Sequence, residues 1–188
     1  MPTTLNPNGF LQMPGDYSKL LFYKKSVILY DITYRFCERF LPEYGDRTVD
    51  QMIQAARSGK QNIVEGMEDG LTSVELQIKL LNVARSSLME LREDYLDYLR
   101  TRSLPLWGKG HNRYRGMVDY CFSHNEVWDY QKYFEVWNDE EYCNISLTLL
   151  HQSDKGLLNY LSKIEENFLK EGGIKEKMSI ARKKSRGY

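Results

Sequence analysis

The sequence predicts an all-α chain folded as an antiparallel up-down four-helix bundle, and three observations carry that prediction. Nothing in the 188 residues alternates apolar and polar at period two over a useful length. Four segments instead repeat apolar residues in alternating steps of three and four, the spacing of one helix face. Most of the connections between them are short, and short connections make sequence neighbours antiparallel neighbours in space.

The elements follow in chain order. Residues 1–17 hold Pro2, Pro7 and Pro14 with Asn6, Asn8, Gly9 and Gly15, a composition of turns and extended chain, and are expected to form an N-terminal arm. A first helix runs from Ser18 to Leu41 on the stripe Leu20, Tyr23, Val27, Tyr30, Tyr34, Cys37, Leu41 and is stopped by Pro42. It also carries Leu21, Phe22, Ile28, Leu29, Ile32, Phe36 and Phe40 off that stripe, an apolar arc wide enough for two partners. The second helix has the stripe Val49, Met52, Ala56, Gly59, Ile63, Gly66, built largely from small residues, so its backbone should approach a neighbour closely. Thr72-Ser73-Val74-Glu75 reads as a capping box with Thr72 at the cap. A third helix then runs to near Arg102 on Val74, Gln77, Leu81, Ala84, Leu88, Leu91, Tyr95, Tyr98, and Leu104-Pro105 stops it.

Residues 103–140 form an aromatic-rich insertion with short helices expected at about 113–123 and 126–137. The last long helix carries Cys143, Leu147, Leu150, Asp154, Leu157, Leu161, Ile164 and Phe168, with Gly172-Gly173 as its stop. Gly156 inside it costs about 1 kcal/mol relative to Ala. The domain plan is thus an arm (1–17), a bundle (18–171) containing the insertion, and a C-terminal tail (172–188).

Composition bounds function. With 41% hydrophobic and 28% charged residues the chain can bury a core, so global disorder is excluded. Lys+Arg and Asp+Glu both total 26, giving zero net charge and no long-range field of one sign. The charge is unevenly shared: the last 17 residues carry +5 and the rest −5. No apolar run approaches the roughly 20 residues that span a bilayer, so no membrane partner is expected and the location is read as cytoplasmic. Cys37, Cys121 and Cys143, odd in number and scattered, suit a reducing compartment and the role of small core filler.

Two segments go beyond periodicity. Gln54-Ala55-Ala56-Arg57-Ser58-Gly59-Lys60-Gln61-Asn62-Ile63-Val64-Glu65-Gly66 resembles the AA-x-S-x-x-x-NIAEG signature of four-helix-bundle proteins related to those encoded within intervening sequences of 23S ribosomal RNA genes. Asn82-Val83-Ala84-Arg85-Ser86-Ser87-Leu88-Met89-Glu90-Leu91 is similar to the same family's third-helix segment. The chain from His151 through Phe168 to Glu171-Gly172-Gly173 resembles the longer subfamily with a four-helix-bundle suffix domain. The resemblance implies an up-down bundle that in characterised relatives assembles into a homopentamer. Those relatives include a nucleic-acid-binding accessory protein of retroelements that also binds a reverse transcriptase. It further marks Arg57, Asn62, Glu65, Gly66 and Arg85 as motif residues with a structural role, Glu65 and Arg85 being weighed as an ion pair between the second and third helices.

No enzyme is expected. The residues three before His111, His124 and His151 are Gly108, Cys121 and Thr148, so the Glu-x-x-His pairs of a di-iron bundle are missing. The chain also lacks a phosphate-binding loop, a Gly-x-Ser-x-Gly elbow and a His-Glu-x-x-His zinc motif. Cys121-x-x-His124 with Cys143 and His151 offers four zinc-type ligands and a suitable first spacing, but seven residues separate the second pair, so core or surface roles are expected for all four. No catalytic residue, metal ligand or cofactor is assigned. The acidic set Glu90, Glu93, Asp94, Asp97 reads as a solvated helix face, and the aromatics of 120–137 read as packing rather than base stacking. The nucleic-acid candidates are the tail cluster Arg182, Lys183, Lys184 and Arg186, then Arg35 and Arg39 one turn apart on the first helix. The expected function is a weakly nucleic-acid-binding, oligomeric accessory protein whose partners are further copies of itself, RNA or DNA, and a reverse transcriptase or other protein. The alternative is a protein-interaction scaffold with no nucleic-acid role.

Overall fold

The structure, a computed structural model, describes residues 16–42, 47–70 and 72–185. Most of the arm therefore lies outside the described residues. After the short 3-10 turn Tyr17–Lys19 come seven α-helices: α1 (Leu21–Phe40), α2 (Thr48–Asp69), α3 (Val74–Thr101), α4 (Tyr114–Ser123), α5 (Val127–Gln131), α6 (Asp139–Glu171) and α7 (Ile174–Ser185). There is no strand among the described residues, so the all-α expectation holds. No helix among them is long and apolar enough to cross a membrane.

The four long helices pack in a closed order, α1 on α2, α2 on α3, α3 on α6 and α6 back on α1. The contacts also give the directions. Gly59 faces Leu88 while Gly70 faces Gln77, so α2 and α3 run antiparallel. Phe22 meets Tyr160 and Phe36 meets Tyr142, so α1 and α6 do too. Arg85 pairs with Asp154 and Tyr98 bonds Asp139, which makes α3 and α6 antiparallel.

The small-residue stripe of α2 behaves as its composition requires. Ala56 and Gly59 are buried, and a methyl group built on Gly59 would lie 2.6 Å from Leu88 Cδ2, so the α2 backbone rests directly on α3. Gly66 meets Leu81 in the same way, at 3.2 Å. From Gln77 to Tyr98 every stripe residue of α3 is buried. The cap of α3 differs by one residue from the sequence expectation: Ser73, not Thr72, accepts from the backbone, at Leu76 N, and its hydroxyl donates to Glu75. Thr72 instead donates to the carbonyl of Asp69, closing the preceding turn.

In α1 the helical period holds, but the expected stripe meets the buried face only at its C-terminal end, at Cys37 and Leu41. Phe22, Ile28, Leu29, Ile32 and Phe36 form the buried face, whereas Tyr23, Val27 and Tyr30 are half-buried and Tyr34 is exposed. Tyr23, Tyr30 and Tyr34 pair an apolar ring with a polar hydroxyl, which suits the rim of a core.

α6 starts with a full capping box: Asn138 accepts from Glu141 N, and the Glu141 carboxylate accepts from Asn138 N. It ends at Gly172, whose φ of +70° suits glycine. Gly156 has a packing reason, since a methyl group there would sit 3.1 Å from the Phe22 Cβ. Its helix-propensity cost is the condition for α1 to lie close against α6.

The insertion folds onto α1 and α6. α4 matches its expected bounds, but the second expected helix ends at Gln131, and the chain to Trp137 continues in three-residue turns such as Tyr133 N to Tyr130 O and Val136 N to Tyr133 O. Tyr130, Phe134 and Trp137 are buried and join Phe36, Phe40 and Tyr142 in one aromatic cluster with ring centroids 5.4 to 6.4 Å apart from neighbour to neighbour. Phe122 (75% exposed) and Trp128 (67%) are the exceptions and face outward. The second partner implied by the wide arc of α1 is therefore the chain's own insertion, and that arc no longer argues for self-association.

Candidate nucleic-acid interface

The basic residues of α1 divide by what they touch. Arg35 is exposed and donates to Glu38 at 2.6 Å, a pair on the helix surface. Arg39, one turn on, donates to the main-chain carbonyls of Phe134, Trp137 (3.1 Å) and Glu135 (3.4 Å), and its guanidinium lies over the rings of Phe40 and Tyr142. Its five N–H groups in a planar fork suit several carbonyls that converge in the turns after α5. This cation holds the insertion and leaves little of its charge facing solvent.

Two further cations of α1, missed in the sequence, do the same. Lys24 pairs with Glu126, and the buried Lys25 donates to the carbonyls of Cys121 and His124 at the end of α4. Helix C-terminal carbonyls lack intrahelical partners and carry negative partial charge, so a lysine ammonium suits them. The available signal was the position of Lys25 three residues after Phe22 and four before Leu29, inside the buried phase.

The terminal cations form the other group. Beyond Gly172, α7 begins with Glu176 accepting from the backbone N–H of Gly173 at 2.8 Å. Lys175, Lys177, Arg182, Lys183 and Lys184 fall in its 12 residues, with Glu176 as the sole acid. Arg182 and Lys183 are exposed, as is Ile180 at 62%. Of Lys184 only the backbone is described, and Arg186 lies outside the described residues. Among the described residues α7 makes no extended packing contact with another helix. Because α6 runs antiparallel to α1 and reaches Phe22 already at Gly156, α7 begins at the end of the fold opposite Arg39. The two predicted clusters are not one surface.

The motif residues serve the α2–α3 seam in part. The Asn62 amide donates to Ser58 O and Ser58 Oγ, and Ser58 shares a 2.9 Å hydrogen bond with Ser87 across to α3. Gly66 lies on Leu81. Arg57 and Glu65 are exposed. The expected Glu65–Arg85 pair is replaced: Arg85 Nε donates to Asp154 at 2.5 Å, tying α3 to α6 instead of α2. Both are half-covered side chains reaching across a seam that Glu65 does not face.

The acidic set of α3 points largely to solvent, with Arg100 bonded to Asp97 and Arg92 to Glu93. Burial, then the like charges of Asp97 and Glu90, raise the Asp94 carboxyl above its ordinary value.

Cys37, Cys121 and Cys143 are all buried and none is in a disulfide, and no three His, Cys, Asp or Glu side chains among the described residues gather as a metal site. Burial pushes the Cys121 thiol up to about 11 and also raises Cys143, against the thiolate that reagents need. The native chain at pH 8 should therefore consume almost no thiol reagent within minutes, and the denatured chain all three equivalents of thiol. A fast-reacting native thiol would contradict this packing.

Comparison of the chain with protein-family models, curated proteins and solved structures gives no match.

Proposed function

We propose that the chain is a non-enzymatic, oligomeric up-down four-helix bundle that binds nucleic acid weakly through α7, as an accessory to another protein such as a reverse transcriptase. The single observation that carries this is the basic helix α7, whose Arg182 and Lys183 are exposed and which makes no extended packing contact among the described residues. The cyclic antiparallel order of α1, α2, α3 and α6 supports the bundle, and the two segments that resemble the intervening-sequence proteins support the accessory role. Arg35 and Arg39 leave the proposed interface, because one is paired on the surface and the other holds the insertion. Phosphate contacts release counterions, so each one steepens the fall of affinity with salt. Further copies of the chain would multiply the effect through valency.

The test compares full-length wild type with a variant carrying Arg182→Gln, Lys183→Gln, Lys184→Gln and Arg186→Gln in RNA and DNA binding over a salt series. With all four cations on phosphate, the log-log salt slope should flatten by about 3.6 in the variant. Absence of salt-sensitive binding in the wild type would end the nucleic-acid proposal, and equal slopes in both would remove α7 from it. The outward-facing Phe122 and Trp128 on the insertion favour the scaffold alternative, which a silent salt series would leave standing.

A further inference from the structure

A cleft of about 580 Å³ opens between the first turns of α1, α4 and the middle of α6. That lies within the roughly 300–1,000 Å³ of small-molecule sites. Leu21, Leu106, Met117 and Phe122 line it, and three of these, Leu21, Leu106 and Phe122, are exposed to solvent. Large apolar side chains gathered round a concavity, rather than scattered singly, mark a place where an apolar body can be covered.

The cleft is also lined by two cations, Lys25 from α1 and Lys155 from the middle of α6. His151, Gln152 and Asn159 of α6 line it within a turn of Lys155. No carboxylate is among the described residues that line it. Lys25 is 3% exposed, and its ammonium spends two of its three N–H groups on the carbonyls of Cys121 and His124. Lys155 is exposed and has no ion-pair partner among the described residues. The nearby acids are engaged elsewhere, Glu126 by Lys24, Asp154 by Arg85, and Asp129, whose charge reaches Lys25, by the backbone N–H of Glu126. Burial lowers the Lys25 ammonium to about 8, a cost that an anion beside it would offset.

We propose that this cleft binds an apolar monocarboxylate, its carboxylate held by Lys25 and Lys155 and its hydrocarbon body laid along Met117, Phe122 and Leu106. A single negative charge matches two ammonium groups of which one is already shared with carbonyls, whereas a polyanion would exceed what they neutralise. The length of apolar wall favours a chain or ring body over a small acid. The site is independent of α7 and of nucleic acid, so either proposal can fail alone.

Calorimetric titration of the full chain with decanoate and with 1-decanol, both below their aggregation limits, tests it. Decanoate should bind about tenfold more tightly than the alcohol, because only it gains charge-assisted hydrogen bonds. Lys155→Met should weaken decanoate by about fivefold and leave decanol unmoved. Phe122→Ala, at an exposed position that the fold tolerates, should weaken both ligands by about fivefold through lost apolar contact. Equal affinity for acid and alcohol overturns the carboxylate assignment. Decanoate binding unmoved by either substitution overturns the site itself.

Discussion

Replacing Gly59 by valine should destabilise the protein by about 3 kcal/mol, the upper part of the range for overpacked cores. A methyl group at this position already lies 2.6 Å from Leu88 Cδ2 and 2.7 Å from Leu88 Cγ, and 3.5 Å from the carbonyl of Ala84. Leu88 is itself buried, so it cannot swing away, and α2 must separate from α3 along a seam that also carries the Ser58–Ser87 hydrogen bond. For a chain of this size the melting temperature should fall by roughly 6–12 °C. Gly116→Ala provides the opposite sign. Nothing lies within 4 Å of a methyl group there, and the residue is inside α4, so the change should gain about 1 kcal/mol from helix propensity alone. Thermal melts of the two variants decide the matter. A Gly59→Val melt within a degree or two of wild type would mean that α2 and α3 do not lie this close.

Arg39→Leu should cost about 2–3 kcal/mol, since it strips charge-assisted hydrogen bonds and a cation–π contact from partly buried carbonyls. The loss should be local in its first effect. Hydrogen exchange should speed up across residues 127–137, which Arg39 holds through Phe134, Glu135 and Trp137, while the amides of α2 and α3 keep their protection. Tyr142 still donates to the carbonyl of Phe134 at 2.8 Å, so that group is not stranded in the variant. Arg35→Ala, four residues earlier, should leave both melt and exchange unchanged, because its partner Glu38 sits beside it on the surface. If Arg39→Leu weakened nucleic-acid binding with stability and exchange intact, Arg39 would be a contact residue and its role in holding the insertion would be withdrawn.

The contrast between these two arginines shows how far the sequence reaches. Arg35 and Arg39 are one turn apart with the same chemistry, and nothing within a helical turn separates them. What separates them is a stretch of chain 95 residues away, whose carbonyls arrive at one and not the other. Lys25 is similar: its partner Cys121 lies 96 residues on. The pairing of Arg85 with Asp154, 69 residues apart, replaced a pairing with Glu65 that looked natural because both residues sit in adjacent motif segments. In the candidate site, the basic run of α7 was legible because it is a local excess of charge. Its helical form was not expected of a tail, and its isolation from the other cluster needed the helix directions.

The sequence by itself determined the four long helices, most of their ends and the close seam of α2 on α3. Burying one side of a helix imposes a period on the chain, and a close approach imposes small residues, so both constraints are written locally. Only the tertiary structure decided which phase of α1 turns inward, what covers its second side and which of its cations stay free. These depend on groups brought together from distant parts of the chain, and neither period nor composition records which distant group arrives.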